Sequence, residues 1–163
     1  MNATRSFVPL AACLLAGCGS YGPQSLAKGS GLDAATHAMG VPTADAPLPD
    51  GGRRLEYARG PFGKHTYMLD FDAKGQLTGW QQVLTEERFN TIRPGMESSE
   101  VVALIGHSFE RRELGWQKQT VWAYRYETPF CQWFQVSIDA RGKVIDSSYG
   151  PDPICDVGDI TDH

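Results

Sequence analysis

From residue 29 onward the hydrophobic positions fall into two series of the same make. In the later one, Val101, Val102, Leu104 and Ile105 recur at the spacing of a helical face over 97–105, and Gly106 stands where a helix stops. Met96 and Val101 are placed to staple its entry, with Glu100 as the capping-box glutamate and Glu97 as a weaker cap than Ser or Thr. In the earlier series, Ser30 and Asp33 make a capping box ahead of Leu32, Ala35 and Met39. A further helical turn is expected over 85–89, leading into Ile92. Partial alternation of polar and apolar residues then predicts strands over 54–59, 66–71 and 76–83, answered by 120–127, 132–138 and 143–149.

The two series share a register. Asp72-Ala73-Lys74-Gly75-Gln76-Leu77 returns 67 positions later as Asp139-Ala140-Arg141-Gly142-Lys143-Val144. At that offset Leu55 meets Trp122, Tyr57 meets Tyr124, and Tyr67, Leu69 and Phe71 meet Phe134, Val136 and Ile138. At an offset of 66, Gly29 meets Gly95 and Met39-Gly40 meets Ile105-Gly106. Asp-x-Lys/Arg-Gly alone is a common hairpin turn whose glycine supplies φ > 0. A register that runs through strands and helix together points to an internal repeat. The expected fold class is α+β: two tandem helix-helix-three-strand units over 29–84 and 85–150, with short helices packed on antiparallel sheet. Units of about 65 residues are marginal alone, so the halves are expected to share a core or a sheet.

Ahead of the repeats, Arg5 and an apolar run over 7–15 lead into Leu15-Ala16-Gly17-Cys18, which resembles a bacterial lipobox. The run is too short for a hydrocarbon core, which needs about 20 residues, and it suits the core of a cleaved signal. An ordinary secretory signal or a short transmembrane helix would leave the small residues before the cysteine to chance. The resemblance implies a lipoprotein signal peptide over 1–17, a diacylglycerol thioether on Cys18, and a palmitate-type chain on the new N-terminus. Buried acyl chains contribute about 0.8 kcal/mol per CH₂, and several of them anchor stably where one does not. Gly19 stands where an inner-membrane retention signal would usually show aspartate, and resemblance to sorted lipoproteins implies the periplasmic face of the outer membrane as the destination. Gly, Ser and Pro over 18–28 predict a flexible tether.

Composition narrows the function classes. The formal charge of −4 becomes about −5 when Arg5, the only charged residue of 1–17, is removed. No basic stripe is available for nucleic acid and no polybasic run for anionic lipid. Cys131 and Cys155 remain in the mature chain, and an oxidising compartment predicts a disulfide between them. Two buried thiols are the alternative; zinc lacks ligand-spaced histidines.

Candidate chemistry is sparse. His37, His65 and His107 fall on a helix, a hairpin and a loop without ligand spacing, and Ser108, Ser147 and Ser148 lack a nucleophile elbow. Asp70, Asp72, Asp152, Asp156, Asp159 and Asp162 do not follow a calcium-loop spacing, so 151–163 reads as a solvated acidic tail. No enzyme, metal or cofactor is expected. Aromatic residues are better candidates for a binding surface. Trp80, Trp116, Trp122 and Trp133 are many for this length, and the parity of Trp133 is opposite to Phe134, Val136 and Ile138. Phe62 and Phe130 sit at equivalent loop tips, Gly60-Pro61-Phe62-Gly63 and Thr128-Pro129-Phe130. Phe62, Phe130 and Trp133 are the expected partner-facing residues.

Phe89, Ile92, Pro94-Gly95-Met96, Val101, Leu104 and Gly106, followed by Trp122, Tyr124 and the 139–144 turn, resemble the BamE (SmpA/OmlA) family of outer-membrane lipoproteins. The resemblance covers 85–150 and is weaker over 29–83. It implies a helix-helix-three-strand fold and a non-enzymatic, lipid-anchored periplasmic module accessory to the outer-membrane β-barrel assembly machine or to envelope integrity. The tandem arrangement also resembles the secreted β-lactamase inhibitor protein, which implies the alternative of an inhibitor-like module binding a periplasmic enzyme.

Overall fold

Two aspartates set the turns around which each half is built. Asp72 Oδ1 accepts from the backbone N–H of Lys74 and Gln76, both at 2.9 Å, and Asp139 Oδ1 accepts from Arg141 at 2.8 Å and Lys143 at 2.9 Å. Gly75 and Gly142 close these turns at φ 74° and 83°, where a side chain would be strained. The computed structural model describes residues 21–158. The 1–17 signal, Cys18, Gly19 and the end of the acidic tail, with Asp159 and Asp162, lie outside the described residues.

The elements run α1 (Leu32–Met39), β1 (Ala44–Pro47), β2 (Arg53–Ala58), β3 (Thr66–Phe71), β4 (Leu77–Gln82), α2 (Glu86–Phe89), α3 (Ser98–Ile105), β5 (Glu110–Leu114), β6 (Gln119–Arg125), β7 (Gln132–Asp139) and β8 (Val144–Pro151). Strands β1 to β4 form one antiparallel sheet and β5 to β8 a second, each in sequence order. Alternation decides the faces. Leu55, Tyr57, Tyr67, Leu69, Phe71 and Leu77 turn to α1, where Ala35 and Met39 meet them. Trp122, Tyr124, Tyr126, Phe134, Val136 and Ile138 turn to Phe89, Val101 and Ile105 of α2 and α3. Phe89 stacks on Phe134 with centroids 4.2 Å apart.

The expected helix-helix-three-strand scheme is corrected by these sheets. The protein is β-rich, with a fourth strand in each sheet and few helices. The added strands β1 and β5 are edges, largely exposed, and they read Ala-Asp-Ala-Pro and Glu-Arg-Arg-Glu-Leu, with no apolar alternation to announce them. The first half holds one α-helix and a short 3₁₀ turn, Pro23–Ser25. Nor does the Ser30/Asp33 capping box form: Gly31 is the N-cap, because Ser30 is spent on β4, its carbonyl accepting from Leu77 N–H at 2.8 Å. Met96 does the same for Val144 in the second half, also at 2.8 Å. There the Glu100 carboxylate does cap, accepting from Glu97 N–H at 2.7 Å.

Helix α3 also joins the halves. Its other side meets the second face of the β1–β4 sheet, where Arg54 reaches the carbonyl of Ala103 at 3.4 Å and grips Asp70 at 2.6 and 2.8 Å. At the end of α3, Gly106 has φ 81°, and a Cβ there would lie 2.8 Å from Thr66 Cγ2 and 3.0 Å from Glu56 Oε1. The layers are therefore α1, sheet, α2 with α3, sheet. The halves share a helix layer, not a continuous sheet.

Gly40 and Gly106 end the two longer helices with near-identical backbone angles, but only Gly106 is crowded. Gly106→Ala is expected to cost about 3 kcal/mol from backbone strain plus overpacking, against about 1–2 kcal/mol for Gly40→Ala. Equal losses in urea titrations would contradict the tight junction. Asp139 supplies a pH test. Its hydrogen bond from Lys143 N–H, helped by Arg141, holds the carboxyl below the ordinary carboxylate range. A depressed folded pKa means that this contribution is present above the unfolded pKa of about 3.9 and is lost as pH falls through the folded value. Unfolding midpoints measured from pH 6 down should therefore fall less steeply in Asp139→Asn than in the parent.

Candidate functional site

One end of the molecule is tied together by Arg125, the last residue of β6. Its guanidinium pairs with Asp152 at 2.6 and 2.8 Å, donates to the carbonyl of Pro61 at 2.8 Å, and lies 5.3 Å from the Trp133 ring centroid. The Arg125 and Asp152 side chains are only 11% and 6% exposed, so the charges are satisfied by each other and not by water. Cys131 and Cys155 are joined as a disulfide with Cα atoms 6.3 Å apart, and the carbonyl of Cys131 accepts from Asp152 N–H at 3.2 Å. The β2–β3 loop, the β6–β7 loop and the segment after β8 are thereby fixed to one another.

This framework holds apolar side chains in water. Phe62 is 73% exposed and Phe130 is 69% exposed, on either side of the Arg125–Asp152 pair. Phe109, half exposed, packs against Gly60, where a Cβ would come within 2.3 Å of its ring. Ile154 follows Asp152 and is exposed. The chain also enters at this end. Tyr21 donates to or accepts from His65 Nδ1 at 2.9 Å, and its carbonyl accepts from Arg59 Nε at 2.8 Å. Arg59 further reaches the carbonyl of Met39, two residues before the exposed Val41. Partial burial beside Tyr67 raises the Tyr21 pKa above its ordinary value. The expected tether over 18–28 is thus docked in its described part: Pro23 is buried and Leu26 packs on the first core.

The residues singled out from sequence do not converge on a catalytic arrangement. Phe62 and Phe130 come to the same end, but Trp133 is 9% exposed, on the face its parity indicates yet covered beside Arg125. Trp122 is in the core, Trp80 flanks Tyr67, and Trp116 stands fully exposed on the β5–β6 connection at the opposite end. His65 pairs with Tyr21, while the Ser108 hydroxyl is engaged with the carbonyl of Ala123 at 2.7 Å. No group of three or more His, Cys, Asp or Glu among the described residues is arranged to hold a metal.

Sequence reasoning missed Glu56, a buried carboxylate on β2. It accepts from His107 N–H and from His107 Nδ1, both at 2.8 Å, so its oxygens serve the junction below Gly106. Its place on the non-core face of β2 is the only sequence signal. An apolar groove of about 330 Å³ between β1 and α3, lined by Pro47, Leu48, Met68 and Val102, opens beside it.

No family model matches the chain, and no curated protein matches it. Solved structures that resemble it include the following two. One is an extracellular protein containing an SCP domain from Bacillus anthracis, 11% identical over 94% of this chain with a TM-score of 0.33. The other is a cysteine-rich secretory protein from Staphylococcus aureus, 12% identical over 78% of this chain with a TM-score of 0.30. The chain spans 51% and 45% of their respective lengths, and likeness at that level carries no functional argument. The resemblance to the BamE family is corrected: no family model and no curated protein matches the chain, and its two four-stranded sheets depart from the helix-helix-three-strand scheme that the resemblance implies.

Arg125→Met leaves Asp152 charged and unpaired in a buried site, which should cost about 3–5 kcal/mol. Arg125→Met with Asp152→Leu should recover part of that loss, since no lone charge is then buried. Thermal unfolding of the single and double variants decides it: a single variant as stable as the parent would deny the pair its role.

Proposed function

We propose that this chain is a non-enzymatic, lipid-anchored binding module of the bacterial envelope, which works at the periplasmic face of the outer membrane through its aromatic end. The observation that carries the reading is the set of exposed apolar side chains, Phe62, Phe109 and Phe130, held in place by a disulfide and a buried ion pair. Isolated exposed apolar residues are ordinary, but a cluster of them on fixed loops is the mark of a contact surface. The lipobox-like 15–18 segment supports anchoring, and the disulfide fits an oxidising compartment. Among the described residues His65 is bonded to Tyr21, His107 to Glu56 and Ser108 to the Ala123 carbonyl, engagements that favour binding over catalysis. The partner is a component of the envelope.

The test begins with the anchor. In cells fed labelled palmitate, the parent should carry label and fractionate with outer membranes, while Cys18→Ser should lose the label and the lipoprotein processing at residue 17. An unlabelled parent in the soluble periplasm would refute anchoring. Crosslinking in the intact envelope then asks what the aromatic end touches. Phe62→Ser with Phe130→Ser should abolish the main adduct while leaving thermal stability within about 1 kcal/mol, because both side chains are already in water.

A further inference from the structure

We infer that the aromatic end is a bilayer-contacting surface: Phe62, Phe109 and Phe130, with Tyr21, Val41 and Ile154 around them, dip into the lipid interface beside the anchor. The inference rests on the lipid-anchored reading above and names the occupant of the same surface.

Among the described residues, these six of the ten exposed large hydrophobics stand on the loops and segment ends at the end where the chain enters. The exceptions are Trp80, Trp116, Ile145 and Tyr149, of which Trp116 belongs to the far end. The loops are brought together by specific bonds, Pro61 to Arg125, Asp152 to Arg125, and Met39 and Tyr21 to Arg59.

Cys18 precedes Tyr21 by three residues. Three Cα steps of 3.80 Å span at most about 11 Å. A domain of this size has a radius of gyration of about 14 Å, so its width greatly exceeds that reach. Tyr21 is fixed to His65 and Arg59, next to the Phe62 loop. An acylated Cys18 therefore keeps this end at the membrane surface, while the Trp116 end cannot reach it without turning the domain over. Once anchored, the second contact is intramolecular, with an effective concentration in the mM range for so short a link. Weak insertion of a few phenylalanines is then sufficient.

At this end Arg59 is bonded to the carbonyls of Tyr21 and Met39, Arg125 pairs with Asp152 and lies 3.8 Å from Glu110, and the chain as a whole is acidic. With Arg59 and Arg125 engaged in this way, the contact is apolar insertion, which buries side chains about 5–10 Å into the interface. Tyr21 brings an amphipathic ring of the kind enriched at that depth.

The experiment places p-benzoylphenylalanine at position 62, 130 or 116 of the full chain in cells whose phospholipids carry radioactive phosphate. After irradiation the protein is purified under denaturing conditions, and the same samples are assayed for palmitate on Cys18. Phospholipid adducts at 62 and 130, about tenfold above those at 116, are expected from the insertion depth. Adducts to a protein at 62 and 130, or equal lipid labelling at all three positions, would overturn the inference while leaving an acylated anchor intact. Lipid adducts at 62 and 130 in a protein without palmitate would uphold the bilayer contact and refute the lipid anchor. To exclude misfolding, each variant must retain the parent melting temperature and the Cys131–Cys155 disulfide.

Discussion

Helix α3 is buried on the side that carries Val101 and Ile105, and its C-terminal end also touches the first sheet, which is where the two halves meet. Its Val101 and Ile105 face one sheet, while Ala103 and the helix end meet Arg54, Glu56 and Thr66 of the other. The first sheet is thereby covered on both faces, by α1 and by α3. An eight-residue helix contributes little by itself. Its stability comes chiefly from the core of the second half, and its end also covers part of the first sheet, so the first half lacks that cover when alone. Glu56 fits the same logic. A buried carboxylate is costly unless its oxygens are filled, and His107 fills both from the loop that follows α3. Gly106 is required because the carboxylate and Thr66 occupy the space a side chain would take.

Legibility in the sequence tracks how local each cause is. Strands β2, β3, β6 and β7 show their alternation because their faces meet an apolar core. Strands β1 and β5 do not, since an exposed edge is paired through its backbone and tolerates Pro47 or a run of charges. The 67-residue register was visible because the Asp72 and Asp139 turns are made by a side chain and a glycine within six residues. Phe62 and Phe130 could be picked out by their loop positions. Arg125, Asp152 and Glu56 could not, because their roles depend on partners between 27 and 64 residues away. Trp133 marks the boundary between the two cases: parity gave its face, but only the packed structure shows Arg125 over its ring.

The same distinction explains the resemblance that did not hold. A glycine at positive φ before a helix, an apolar helical face, a glycine after it and an aspartate turn are each solutions to a local steric problem. Gly29 and Gly95, at φ 86° and 89°, recur within this chain because both feed a segment into a bridge with the turn that follows. Such residues identify a way of joining a helix to a hairpin. They do not identify the family, because the edge strands and the shared helix layer leave no comparable local mark.

Rigidity at the aromatic end bears on what that end does. Exposed phenylalanines on mobile loops could fold back on the protein, which would reduce their apolar area in water. Here the disulfide, the Arg125–Asp152 pair and the Pro61 carbonyl remove that option, so the side chains stay out. Holding them there leaves their hydrophobic cost unrelieved in the isolated protein, and a contact that covers them regains it without further ordering of the loops. The constraint also keeps the first turn of chain, through Tyr21, in a fixed relation to the same loops. On the proposed reading, a lipid on Cys18, three residues before Tyr21, is held beside the apolar surface, and a bilayer satisfies both at once.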